Sequence, residues 1–132
     1  MELPISLIFQ LLIVPVTDNT ATVETSPCWK ENEHTVWLSP ARMLWFRNHY
    51  LPNSEDYLKW DSSPLFAPES LVAKLPKAWI GVGELDILRD EGIDYGEKMR
   101  KAGVDVEIEI YKGSPHPIMA MDGEHQLASI NM

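Results

Sequence analysis

Three apolar runs along the chain differ in how polar residues interrupt them. Residues Ile5 to Val14 are almost continuously apolar, and Ala78 to Val82 contain no polar residue. Uninterrupted runs of this kind are typical of strands buried on both faces of a parallel α/β sheet. Residues Val104 to Tyr111 instead alternate apolar side chains with carboxylates, which predicts a half-exposed strand at the edge of the sheet.

The segment between the first two runs predicts a helical excursion. Ser39-Pro40 provides an N-cap followed by proline at the first helical position, which predicts a helix over Ala41 to Tyr50 that ends before Pro52. Residues 19–36 are polar and are predicted to form a loop. Shorter helical turns are expected over 54–58 and 68–71.

A second helix is predicted over Glu91 to Ala102, with Asp90 as its N-cap and Gly103 just beyond its end. Its first turn is acidic and its last turn is basic, which complements the helix dipole. A weaker pattern allows a final helix within 117–132.

The order of these elements predicts an α/β fold. Strands that alternate with helices favour parallel pairing through crossover connections. We therefore expect about three parallel strands with flanking helices in one domain over 1–132, and a cap-like excursion over 18–76. The length suits one modest core.

Composition narrows the classes of partner. The formal net charge of -9 argues against nucleic-acid binding. The single cysteine, Cys28, excludes an internal disulfide and favours a reducing, cytoplasmic location. We expect Cys28 to be an inert loop residue, and no Cys/His spacing suggests zinc, another metal or a cofactor. The apolar N-terminal run has an acidic start, contains prolines and is too short to span a membrane.

Asp86 and His116 are the candidate catalytic pair. Asp86 follows the second predicted strand and His116 follows the third, and the carboxyl ends of neighbouring parallel strands meet at one edge of a sheet. A carboxylate that contacts an imidazole fixes its tautomer for general-base chemistry. The alternative carries equal weight at this point: Asp86 could be a turn or cap residue, and His116 an ordinary loop histidine.

A nucleophile to complete this pair is missing from the sequence. The chain contains no Gly-x-Ser-x-Gly elbow and no His-Gly-Gly oxyanion loop. Four serines are better explained as cap or turn residues: Ser39, Ser62, Ser63 and Ser114.

Five segments, in this order along the chain, resemble the C-terminal half of an α/β-hydrolase of the hormone-sensitive-lipase-like group, which includes arylacetamide deacetylase-like esterases. They are QLLIVPVTD (10–18), WFRNHYLP (45–52), SPLFAP (63–68), GELDILRDEG (83–92) and YKGSPH (111–116). The resemblance implies a carboxylic-ester hydrolase with a small-molecule ester substrate, in which Asp86 is the triad acid and His116 the general base. The chain departs from the family at Pro117-Ile118, where Gly-Phe is usual.

The same resemblance implies that the nucleophile elbow and the oxyanion loop belong to an N-terminal half that is absent, so we expect a truncated hydrolase, inactive alone. It also implies that the excursion supplies part of the substrate wall, through Trp45, Phe46 and Tyr50 with Trp37. Packing of an amphipathic helix explains these aromatics equally well.

A different class of function is also open. If no strand pairs with the outer edge of the Ile5–Val14 strand, that edge could bind a second copy of the chain or a separately made half of a split hydrolase. The chain would then be a non-catalytic binding or interaction module.

Overall fold

Residues 5–118 are described by a computed structural model, in which three parallel strands form the sheet. The strands are β1 (Gln10–Ile13), β2 (Ala78–Gly83) and β3 (Val106–Tyr111), in the order β1-β2-β3. The central strand pairs in parallel with both neighbours, with Ile80 opposite Leu12 on one side and Ile108 on the other. The predicted α/β class with three parallel strands is confirmed.

The first strand is shorter and more exposed than predicted. Only Gln10–Ile13 pairs with β2, whereas Ile5 to Val14 was expected to form a buried strand. Ile8 is 84% exposed, and Leu11 and Ile13 are also exposed. The reason is geometric: within residues 5–118, β1 pairs along one edge only, and little covers the face that carries Leu11 and Ile13.

Two of the predicted helices occur with small shifts in their bounds. Helix α2 spans Pro40–Tyr50, and the hydroxyl of Ser39 accepts the Arg42 N–H at 3.3 Å, as its N-cap role requires. Helix α4 spans Arg89–Lys101. The predicted N-cap role of Asp90 is wrong, because the helix starts one residue earlier and Asp90 lies in its first turn, paired with Arg89 Nε at 2.9 Å.

The excursion contains more structure than its polar sequence predicts. Helix α1 (Pro27–Glu31) interrupts the expected loop, with Ser26 as its N-cap. Short 3₁₀ helices occupy Ser54–Asp56 and Pro64–Phe66, and helix α3 covers Glu69–Val72. The possible last helix falls mainly on residues 119–132, which lie outside the described part.

Two apolar clusters hold these elements together. In the first, α4 packs on the sheet, with Ile80, Val82 and Met99 almost fully buried. In the second, Trp29 of α1 and Met43 of α2 pack against residues 87 and 88 in the turn that follows β2. The excursion is therefore packed against the segment that carries Asp86.

Candidate active site

Asp86 and His116 are in hydrogen-bond contact at the carboxyl end of the sheet. Asp86 Oδ2 accepts from His116 Nδ1 at 2.8 Å, across 30 residues of sequence. The side chain of Asp86 is fully buried, while about a quarter of the His116 side chain is exposed. A buried carboxylate that faces a partly accessible imidazole fixes the tautomer with the proton on Nδ1 and leaves Nε2 able to accept a proton.

The turn after β2 fixes the position of Asp86. Its second carboxylate oxygen, Oδ1, accepts the backbone N–H of Leu88 at 2.9 Å, so both oxygens are engaged. Ile87 and Leu88 are buried in the second cluster. The backbone carbonyl of Asp86 accepts from the Cys28 thiol at 3.2 Å, and burial raises the pKa of that thiol, which keeps it protonated as a donor.

Cys28 was predicted to be an inert residue in a polar loop, and that expectation of its location is wrong. It is buried in α1 and contacts the segment that carries Asp86. The helix was missed because it has only five residues, although Ser26-Pro27 carries the same start signal as Ser39-Pro40.

The His116 loop is fixed by hydrogen bonds with the residues that follow β2. Leu85 N–H donates to the Ser114 carbonyl at 3.0 Å, and Gly113 N–H donates to the Glu84 carboxylate at 2.6 Å. Gly83 allows this close approach: a Cβ at this position would lie 2.6 Å from the Ser114 carbonyl oxygen and 2.9 Å from that of Pro115. No other residue type fits here without displacing the loop that leads to His116.

A cavity of about 750 Å³ opens beside His116. Residues of the excursion form most of its wall, among them Trp37, Met43, Phe46 and Tyr50. Trp45 was predicted to line this wall with Phe46 and Tyr50, but it is not among the lining residues. It is 56% exposed and stacks on His49, with ring centroids 4.1 Å apart. The buried face of α2 carries Met43 and Arg47 instead, which are four residues apart.

Two cavity residues have a left-handed backbone. Val14 has φ 44° and Trp37 has φ 72°, and both line the cavity. A β-branched residue in this region is strained, and strain of this kind persists where the surrounding structure fixes the backbone. The Val14 N–H donates to the Gly81 carbonyl at 2.8 Å, which contributes to holding it.

Glu91 is a buried carboxyl in the first turn of α4. Its Oε2 accepts the N–H groups of Thr17 and Asp18, both at 2.8 Å, and so ties α4 to the segment that leaves β1. Its Oε1 has no hydrogen-bond partner among the described residues. Burial is the main cause that raises the pKa of Glu91 to about 7.

Ser39 is an N-cap as the sequence predicts, whereas the hydroxyl of Ser63 makes no cap bond and holds a segment distant in the chain. Ser63 is fully buried, accepts the Asn19 N–H at 2.9 Å and donates to the Tyr57 carbonyl at 2.6 Å, so both bonding capacities of its hydroxyl are used. The hydroxyl of Ser62 donates to the Lys59 carbonyl at 2.9 Å.

Sequence reasoning missed several residues that support the site. Arg89 donates to the Glu84 carbonyl at 2.7 Å, Thr35 donates to the Leu85 carbonyl, and Arg47 lines the cavity. Thr35 and Arg47 make contacts between segments distant in the chain, for which the local sequence carries no signal, whereas Arg89 bonds to a carbonyl five residues away.

Two further findings concern the described residues only. No group of three or more histidine, cysteine, aspartate or glutamate side chains within 5–118 is arranged to hold a metal ion. In the same part of the chain, no helix has the length and apolar character needed to cross a membrane.

A family model described as the alpha/beta hydrolase fold matches residues 2–120 of the sequence. Because this match extends over most of the chain, the protein belongs to the α/β-hydrolase family.

Similar proteins include named esterases. An AB hydrolase superfamily protein of Schizosaccharomyces pombe is 47% identical over 116 residues, which cover 88% of this chain and 34% of that protein. Carboxyl esterase 2 of Tuber melanosporum matches with a TM-score of 0.81 and 30% identity, covering 86% of this chain and 37% of that one. A thermostable esterase of Pseudomonas putida matches with a TM-score of 0.76 and 36% identity. The match covers 83% of this chain and 33% of that one. The chain thus spans about a third of the length of these relatives.

Gly83→Ala should loosen the His116 loop, because the added Cβ would meet backbone carbonyls that cannot rotate away. We expect amide exchange of Leu85, measured by NMR, to accelerate roughly tenfold or more, since strain of about 1–3 kcal/mol would favour local opening. Gly81→Ala is the matched control, because its Cβ would meet the rings of Trp79 and Tyr111, which are side chains that can move, and no backbone carbonyl. Equal protection of Leu85 in both variants would contradict this role of Gly83.

The buried carboxyl of Glu91 should make stability depend on pH. Its pKa is raised from 4.5 in the unfolded chain to about 7 in the native state. The native state therefore retains a proton that the unfolded state releases, and this contribution falls as pH rises from near 4.5 to near 7. Relative to Glu91→Gln, wild type should lose about 3 kcal/mol of unfolding free energy over that range.

Chemical denaturation at several pH values measures this difference. Glu97→Gln is the control, because Glu97 is on the same helix but is exposed and paired with Arg100 at 2.6 Å. A difference between wild type and Glu91→Gln that stays constant with pH would show that Glu91 does not titrate as described.

Proposed function

We propose that the chain supplies the acid and the base of a serine carboxylic-ester hydrolase of the hormone-sensitive-lipase-like group. The observation that carries the proposal is the 2.8 Å contact between Asp86 Oδ2 and His116 Nδ1 at the carboxyl end of a parallel sheet. Membership of the α/β-hydrolase family and the similarity to carboxyl esterase 2 support an ester as the substrate.

His116 acts as the general base and Asp86 as its orienting partner. With Nδ1–H donating to Asp86, the neutral imidazole presents Nε2 to accept the proton of a serine hydroxyl as that oxygen attacks the ester carbonyl. The imidazolium formed is stabilised by the Asp86 carboxylate, and it returns the proton to the departing alcohol. The bond to Leu88 N–H keeps the Asp86 carboxylate oriented through both steps.

The excursion over 18–76 forms the substrate wall in this proposal. Phe46, Tyr50 and Trp37 line the cavity beside His116 and offer aromatic surface to the apolar part of an ester. Trp45 does not contribute to this wall, because it is not among the residues that line the cavity.

The serine nucleophile and the oxyanion donors come from sequence other than these 132 residues. The chain has no Gly-x-Ser-x-Gly elbow and spans about a third of its relatives' length. Loss of both nucleophile and oxyanion donors removes most of the catalysis of a triad enzyme, so we infer that the chain alone does not turn over esters.

In this proposal, the outer edge of β1 is the surface that binds the part of the hydrolase with the nucleophile, or a second copy of this chain. Leu7, Ile8 and Phe9 are exposed beside it, and within the described residues β1 pairs only with β2. An apolar strand with an unpaired edge favours strand addition.

A chimera tests the proposal. Residues 5–118 replace the matching segment of the Tuber melanosporum carboxyl esterase, and hydrolysis of p-nitrophenyl butyrate is followed. We expect the chimera to be active, His116→Ala to lower kcat by about 10⁴-fold, and the 132-residue chain alone to be inactive.

His34→Ala is the control for loss of a histidine, because the His34 side chain is 92% exposed and pairs with Glu33 rather than with Asp86. A folded chimera that keeps its activity after His116→Ala would refute the general-base role. Turnover by the chain alone that disappears in His116→Ala would refute its inactivity.

A further inference from the structure

Three successive backbone carbonyls, those of residues 84–86, each accept a hydrogen bond from a side chain. Arg89 Nη1 donates to the first at 2.7 Å, the Thr35 hydroxyl donates to the second, and the Cys28 thiol donates to the third at 3.2 Å. Most backbone carbonyls in folded proteins bond to backbone N–H groups instead. A run of three side-chain donors that ends at Asp86 therefore requires an explanation.

Two of these three donors belong to the excursion between β1 and β2. Cys28 is in α1, and Thr35 follows the end of that helix by four residues. The third donor, Arg89, is itself paired with the carboxylate of Glu31 in α1 at 3.0 Å. Because Cys28 and Glu31 are three residues apart, they lie on one face of α1. This face and the loop after it therefore dock on the turn that carries Asp86.

Leu85 connects the excursion with the loop that carries His116. Its carbonyl accepts from the Thr35 hydroxyl, and its N–H donates to the Ser114 carbonyl at 3.0 Å. Asp86 follows Leu85 directly in the chain, and His116 follows Ser114 by two residues. A line of hydrogen bonds therefore runs from Thr35 through Leu85 to the loop whose histidine contacts Asp86.

The Thr35 hydroxyl is held in place by its own loop. The backbone N–H of Thr35 donates to the Asn32 carbonyl at 3.0 Å, and Asn32 Nδ2 donates to the Cys28 carbonyl at 3.1 Å. A β-branched side chain also has few accessible χ1 rotamers. The hydroxyl therefore reaches the Leu85 carbonyl from a fixed support, as a group that positions another must.

Thr35 is not in the wall of the cavity that contains His116. It lines a second cavity of about 700 Å³, together with Leu85 and Pro115, and the side chain of Trp37 stands between the two because it lines both. Thr35 therefore reaches the reacting groups through Leu85, and it does not contact a substrate that is bound at His116.

We propose that Thr35 is a positioning residue of the pair Asp86 and His116: its hydroxyl holds Leu85, and with it Asp86, in place against the His116 loop. That the pair serves ester hydrolysis rests on the proposed function. That Thr35 controls the contact rests on the hydrogen bonds from Thr35 to Leu85 and from Leu85 to Ser114. Small displacements of a general base lower the rate of a reaction steeply, so such a residue affects turnover without touching the substrate.

The first test compares two substitutions in the ¹⁵N-labelled 132-residue protein. Thr35→Val removes the hydroxyl and keeps the shape of the side chain, whereas Thr35→Ser keeps the hydroxyl. NMR measures the exchange of the His116 Nδ1 proton with solvent. We expect Thr35→Val to accelerate this exchange about fivefold, as loss of one hydrogen bond does, and Thr35→Ser to keep the wild-type rate. Thr25→Val is the matched control, because the Thr25 hydroxyl accepts the Thr22 N–H at 2.9 Å within a turn of the same excursion.

The second test measures turnover in the chimera with the Tuber melanosporum esterase. Thr35→Val should lower kcat about fivefold and leave KM unchanged, because the hydroxyl acts on His116 and not on the bound ester. Thr35→Ser should restore kcat. A purely structural role would lower the free energy of unfolding in Thr35→Val without changing kcat or the exchange of the Nδ1 proton.

The positioning role would be overturned by Nδ1 exchange that is unchanged in Thr35→Val, that is equally fast in Thr25→Val, or that stays fast in Thr35→Ser. If Thr35→Val does not fold, Thr35→Ala removes the same donor with a smaller side chain, and the same comparisons decide. An inactive chimera together with faster Nδ1 exchange in Thr35→Val would refute ester hydrolysis and leave the role of Thr35 standing. An active chimera in which Thr35→Val changes neither kcat nor the exchange would do the reverse.

Discussion

The contact between the turn after β2 and the loop after β3 is the constraint on which the site depends. Leu85 donates to the Ser114 carbonyl across a gap that only a glycine at position 83 leaves open. This backbone contact brings Asp86 to 2.8 Å from His116. The pairing of a carboxylate with an imidazole is thus a consequence of how two neighbouring parallel strands end, because both loops leave the same edge of the sheet.

The excursion between β1 and β2 supports the same site from the other side. Its helices bury Trp29 and Met43 against the residues that follow Asp86, and the Cys28 thiol bonds to the Asp86 carbonyl. One segment therefore forms the cavity wall and also fixes the turn that carries the carboxylate. Changes in the excursion should for this reason affect both the shape of the cavity and the position of Asp86.

The fold and the contact between Asp86 and His116 could be predicted because their signals are local. Apolar runs located the strands, Ser39-Pro40 located the start of α2, and the positions of Asp86 and His116 after parallel strands implied their proximity. The inward face of α2 could not be predicted, because hydrophobicity favours burying Trp45 rather than Arg47. The structure buries Arg47 because it is four residues from Met43 on the face that meets Trp29. The length and exposure of β1 were also misjudged, since they depend on which elements cover the strand.

This chain by itself holds His116 against Asp86, and the Nδ1 proton of His116 reports on that contact directly. In ¹⁵N-labelled protein, we predict a slowly exchanging, downfield proton on His116 Nδ1, because the atom donates to a buried carboxylate at 2.8 Å. The signal should disappear in Asp86→Ala and remain in His34→Ala. A His116 Nδ1 without such a proton, or one whose signal is unchanged in Asp86→Ala, would contradict the account.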